Sequence, residues 1–211
     1  MLFFLYLMNR NFHPLYLIKA VTVFLSLFLI MNAAKADSLA IKSGMILNYK
    51  ILKTSDTIRL KVMIKEVSQR VIFDFILLSI NSFYGRVILT PQALQSGTRQ
   101  YNYSVKGDVI LTDGTAVWMS QDVFQTLRNK GQIRYTPNGK EKLYKLIKHQ
   151  NYEVLFDTKK IPIPALLIES EEDPKDVFII ADNANFPIIL SMNLGFQFDL
   201  SEVLTEEATQ H

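Results

Sequence analysis

The side chains with chemical potential in this sequence are few: two histidines outside an apolar opening segment, one acidic run and a scatter of aromatic rings. His149 is the one realistic base for a nucleophile–histidine–acid triad, because His13 lies in the opening segment and His211 is terminal. A triad also needs an activated hydroxyl, and no glycine-flanked serine elbow accompanies His149. His149 therefore reads as a loop histidine between two strands, and no catalytic residue is assigned. Paired carboxylates of the glycosidase kind come from distant strands, so spacing alone assigns none. The run Glu169 to Asp176 gathers the hard oxygens that calcium takes, without the regular aspartates and central glycine of an EF-hand loop. It reads as a solvated hairpin tip, with no metal site. HExxH, GxxxxGK and GxGxxG patterns are missing, and with them the common zinc, nucleotide and dinucleotide signatures, so no cofactor is expected. The chain has no cysteine, which excludes disulfides, thiol nucleophiles and thiolate metal sites together.

The aromatics carry more. Tyr101 and Tyr103 stand at strand spacing, Trp118 is the single tryptophan, and Phe196 and Phe198 share a strand face. On a curled sheet such rings either fill the interior or line a cavity for an apolar ligand, and both arrangements produce the same pattern. Trp118, Phe196 and Phe198 are the candidate ligand-binding residues.

These residues need strands to position them. Met45–Thr54 and Thr57–Lys65 alternate apolar and polar residues across a short Ser55-Asp56 connection, which predicts an antiparallel hairpin. Val71–Ile80 is almost continuously apolar and reads as a central strand buried on both faces. After the short strand Arg86–Leu89, Thr90 and Pro91 open a one- or two-turn helix that ends at Ser96-Gly97. Arg99–Val105 and Val109–Leu111 read as a hairpin turning at Lys106-Gly107-Asp108, and Ala116–Met119 as a short extended piece. Ser120 caps an amphipathic helix over Gln121–Asn129, with Val123, Phe124 and Leu127 on one face and Gly131 as its stop. Ile133–Thr136, Lys142–Lys148, Tyr152–Phe156, Ala165–Ile168, Val177–Ile180, Phe186–Leu190 and Leu194–Leu200 read as further strands. The first of these ends at the turn Pro137-Asn138-Gly139, and His149-Gln150-Asn151 joins the next two. Lys159–Pro164, with two prolines, reads as an edge or crossing segment. The expected fold is mainly β: an antiparallel curved sheet, forming a barrel, half-barrel or sandwich, with one short capping helix over residues 37–200 and a polar tail at 201–211.

The opening segment sets the expected address. Ala20–Met31 is an uncharged run behind Arg10 and Lys19, and Ala34-Lys35-Ala36 supplies the small residues of a signal-peptidase site, with Ala34 and Ala36 flanking the lysine. The run spans 12 residues, against the ~20 that a membrane-spanning helix needs, which favours a cleaved signal over an anchor. Met8 is an alternative start that would give the conventional short basic region. Removing residues 1–36 takes away three of the 23 basic residues and none of the 20 acidic ones, so the remaining 175 residues are formally neutral. A neutral domain has no long-range field for nucleic acid, and the membrane is involved only through the signal segment. The expectation is an exported protein, periplasmic in a Gram-negative cell and otherwise secreted.

Trp118-Met119-Ser120, Asp182–Leu190 and Leu194–Leu200 together resemble a family of uncharacterised exported bacterial β-proteins. The resemblance implies an antiparallel, curved-sheet periplasmic domain and brings no catalytic residues with it. Two functions are expected from different classes. The first is a non-enzymatic module binding an apolar or lipid-like small molecule near Trp118, Phe196 and Phe198. The second is a protein-interaction or structural module that docks an envelope protein through an exposed edge near Lys159–Pro164 or an outer apolar patch. An enzyme is a third class, raised only if carboxylates or His149 converge in a cleft.

Overall fold

The computed structural model describes residues 39–53, 56–79, 82–101 and 107–205. The expected signal with Ala34 and Ala36, Tyr103, and the last residues of the chain lie outside them. The first hairpin forms as the alternation requires: β1 (Ile46–Lys53) pairs antiparallel with β2 (Asp56–Val67), with Leu47 opposite Val62 and Ile51 opposite Ile58. Leu47, Tyr49, Val62 and Ile64 are buried on one face, and Lys50 and Arg59 are exposed on the other. β3 (Val71–Leu78) and β4 (Phe83–Leu89) extend this sheet.

β3 departs from the double-sided burial expected of it. Val71, Phe73 and Phe75 are buried, whereas Ile72, Asp74 and Ile76 on the opposite face are only half-buried. Its outward isoleucine belongs to a cross-strand row, Ile72, Ile88 and Ile110, that runs over β3, β4 and β6 (Gly107–Leu111). Beside that row, Asp74 accepts two hydrogen bonds from Arg86, at 2.6 and 3.1 Å, and Lys65 lies 3.7 Å away. The Arg86 guanidinium holds the Asp74 carboxyl below the usual carboxylate range.

Thr90 caps helix α1 (Pro91–Ser96) through its side-chain oxygen, which accepts from the Ala93 N–H at 3.2 Å. Most of the expected hairpin across Lys106-Gly107-Asp108, residues 102–106, lies outside the described residues. β6 pairs in parallel with β4, and β5 (Arg99–Gln100) pairs in parallel with β7 (Gly114–Thr115) and with β8 (Gln132–Pro137). The α1-containing connection from β4 to β6 is a crossover, the type of link that a parallel pair needs. The sheet is therefore mixed rather than purely antiparallel.

Helix α2 (Gln121–Lys130) buries Val123, Phe124 and Leu127 and closes on Gly131, whose φ of 69° lets its N–H reach the Leu127 carbonyl at 2.8 Å. Ser120 occupies the cap position, but its buried hydroxyl makes no capping bond. The segment expected as two strands around His149 is one continuous strand, β9 (Lys142–Phe156). His149, Gln150 and Asn151 lie opposite Leu166, Ala165 and Pro164 of β10 (Lys159–Ser170), so a long partner overrides their weak strand preference. β11 pairs with β10 over Ala165–Glu169, and the Asp182 N–H donates to the Pro164 carbonyl at 2.8 Å, so among the described residues Lys159–Ile163 is paired along one side.

The acidic connection between β10 and β11 (Val177–Ala181) is a solvated tip, with Glu171, Glu172, Pro174 and Lys175 exposed, and it is also fastened to β9. Asp176 pairs with Lys142, Glu171 with Lys145 at 2.7 Å, and Glu172 accepts the Leu143 N–H. That N–H holds the Glu172 carboxyl below its usual range. β12 (Ile189–Asn193) and β13 (Gln197–Leu204) complete the sheet. The order among the described residues is β6-β4-β3-β2-β1-β13-β12-β11-β10-β9-β8-β5-β7, with a further parallel pairing of β13 to β9. Ser201 is the extra residue of a bulge against β1, because Asn48 faces Glu202 while Tyr49 faces Leu200. The bulge resets the alternation, so Phe198, Leu200 and Val203 are all buried, and the expected tail from Ser201 is strand as far as Leu204.

Candidate functional site

The inner faces of β1 to β4 do not meet the opposite wall completely. A cavity of about 360 Å³ remains between their apolar side chains and the segments around β5, β7 and β12. Phe73 and Phe75 reach it from β3, Phe198 from β13 and Phe196 from the turn before it. Phe198 is fixed by stacking on Tyr49, with ring centres 4.3 Å apart. The Tyr49 hydroxyl donates to the Ile189 carbonyl at 3.1 Å, and burial pushes its titration far up. Phe75 meets Phe83 edge to face at 6.2 Å.

Two features of the far wall are unusual for a passive core. Val117, buried and lining the cavity, has a φ of 54°, a conformation that a β-branched residue adopts only at a cost of ~1–3 kcal/mol. Its neighbours hold it there. The Val117 carbonyl accepts from Ile189 N–H at 2.9 Å, Met119 N–H donates to Pro187 at 2.9 Å, and the Thr115 hydroxyl donates to the Trp118 carbonyl at 2.7 Å. The second feature is Gln100, only 3% exposed, which lines the cavity while its Oε1 accepts from the Tyr135 hydroxyl at 2.7 Å. Among the described residues Lys53 is the single charged residue on the lining.

The three sequence-derived candidates separate. Phe196 and Phe198 both line this cavity, and Tyr101 joins them. Trp118 does not; it is 2% exposed, stacks on Phe73 at 6.4 Å, and forms an antiparallel bridge to Ile188. It borders a different hollow beside Val71, Leu94 and Phe186. Phe73 and Phe75 were concealed by the continuous apolar run around them. Gln100 and Val117 carry no signal in sequence, since one amide and one valine in irregular stretches look ordinary.

The cavity depends on close packing behind it. A Cβ added to Gly85 would fall 2.6 Å from the Gly107 carbonyl and 2.8 Å from the Phe75 ring. Gly85→Ala is therefore expected to cost about 1–3 kcal/mol and to push Phe75 toward the cavity. Urea denaturation and a cavity-bound dye read the two effects, and a variant with an unchanged denaturation midpoint would contradict this packing.

His149 is 65% exposed, with Nδ1 3.6 Å from Asp182 Oδ2, while Arg128 Nε lies 3.5 Å from Asp182 Oδ1. The shallow hollow around it is bordered by Gln150, Asn151, Pro164, Ala165 and Asp182, so no hydroxyl or thiol stands beside the histidine there. No family model matches the chain, and comparison with curated proteins and with solved structures gives no match.

Proposed function

We propose that the chain is a non-enzymatic binding module that holds an apolar or lipid-like small molecule in the cavity bordered by Phe73, Phe75, Phe196 and Phe198. The observation that carries this reading is the lining itself: a partly open, mostly apolar hollow with a few polar groups, one of them buried, and a strained residue held on its wall. The curved-sheet architecture belongs to the same proposal. It is supported by the β13–β9 pairing, which returns the succession β13-β12-β11-β10-β9 on itself and bends the sheet toward a barrel. Export, inferred from Ala20–Ala36, and kinship with exported bacterial β-proteins complete it; an envelope compartment is rich in single-chain and two-chain amphiphiles.

The test is binding. Full-length protein purified without detergent should carry an apolar molecule in native mass spectrometry, or bind an environment-sensitive apolar dye. Ala116→Leu, which adds volume on the lining, should weaken dye binding roughly tenfold while the circular dichroism spectrum is kept. Wild-type protein that neither carries nor binds an apolar molecule ends the reading.

A second reading, docking of an envelope protein, has its own support. Tyr84 is 68% and Ile110 64% exposed, and Ile110 sits on β6, whose one strand partner among the described residues is β4. An apolar row ending at an open strand edge is the kind of surface that pairs with another chain. Crosslinking in cells from position 110 should trap a defined partner, and a diffuse pattern rejects it.

A further inference from the structure

Gln100 has a donor that the described residues leave unused. Its Oε1 is occupied by the Tyr135 hydroxyl, whereas its Nε2 has no hydrogen-bond partner among the described residues. Tyr135 is fully buried and held edge-on to Phe178 with ring centres 5.8 Å apart, so it fixes the amide in place. The residue is 3% exposed, yet Nε2 is not among the sealed-off unpaired atoms, so it is reachable, and in an apolar wall an oxygen acceptor from a ligand gains more there than it would in water. Charge points the same way. Among the described residues Lys53 is on the lining and no carboxylate is, so an anion meets an attractive field while an ammonium group meets a like charge. Size restricts the choice again, since 360 Å³ lies at the low end of the roughly 300–1,000 Å³ spanned by small-molecule sites, enough for one chain and not two.

We infer that the ligand is a single-chain fatty carboxylate, its oxygen on Gln100 Nε2 and its chain against Phe73, Phe75, Phe196 and Phe198. This inference rests on the cavity-binding reading and names the ligand class for it. Removing the amide alone would strand the Tyr135 hydroxyl, so the informative variant removes both partners: Gln100→Met with Tyr135→Phe, compared with Tyr135→Phe alone. The full-length protein is loaded with N-phenyl-1-naphthylamine and titrated with decanoate, with decyltrimethylammonium and with phosphatidylglycerol vesicles. Decanoate should displace the dye, and the cation at equal concentration should not. The double variant should bind decanoate roughly tenfold more weakly or worse, with dye affinity within about twofold of wild type, and Tyr135→Phe alone should stay close to wild type. The inference is overturned if the cation competes equally, if only the two-chain vesicles displace the dye, or if the double variant changes decanoate and dye alike or changes neither. Failure of the wild type to bind the dye at all is the separate result that removes the cavity reading, and this inference with it.

Discussion

Trp118→Ala is expected to lower the stability of the fold by about 3–5 kcal/mol, a large part of what a domain of this size possesses. The ring is almost wholly buried, stacks on Phe73, and stands in the segment that the entry to β12 pins through Val117 and Met119. Truncating it leaves a void behind the cavity wall, not an emptier binding site. Phe196→Ala, from a half-buried ring on the lining, is expected to cost roughly 1 kcal/mol and to act mainly on ligand affinity. Urea midpoints measured together with dye affinities separate the two roles. Loss of dye binding in Trp118→Ala with an unmoved midpoint would reverse the assignment and return the tryptophan to the ligand. Trp118→Phe, which keeps a ring against Phe73, should recover most of the loss.

A comparable effect is expected at the acidic connection. The Lys142 and Asp176 side chains are 14% and 12% exposed and pair with one another. Lys142→Met leaves the Asp176 carboxylate with its ionic partner gone and little water to replace it, which should cost about 3–5 kcal/mol. Lys142→Met combined with Asp176→Leu removes both charges and should return to within about 1 kcal/mol of wild type, since a buried pair contributes little net stability over apolar groups of similar volume. Thermal or urea denaturation of the single and double variants forms the cycle. Equal losses in both would mean that the pair does not act as a unit.

The elements legible in the sequence were those whose information is local. The β1–β2 alternation, the Thr90-Pro91 start of α1, the Val123, Phe124 and Leu127 face of α2 with its Gly131 stop, and the hairpin around Glu171–Asp176 all follow from neighbours a few residues apart. What escaped was set by distant partners. His149-Gln150-Asn151 is strand because β10 lies beside it, Val109–Leu111 runs parallel to β4 because β4 offers it an edge, and Ser201–Leu204 continues β13 because a bulge restores its inward face. Lys142 and Lys145 reach the acidic tip from a strand that is separate in sequence, so the solvated run also has fixed ion-pair partners that its own spacing could not show. At the site, Phe196 and Phe198 were found from their spacing, whereas Gln100 and Val117 acquire meaning only from a hydrogen bond and a backbone angle.

The pairing of β13 also orders events in time. β13 joins β1, β12 and β9, so the final strand of the chain completes edges formed by strands at its beginning and middle. Those edges stay open until nearly the whole chain is present, and the entropy of closing so long a loop must be met before the contacts return anything. A chain of this topology cannot complete the cavity wall that includes Phe198 before β13 is available to pair.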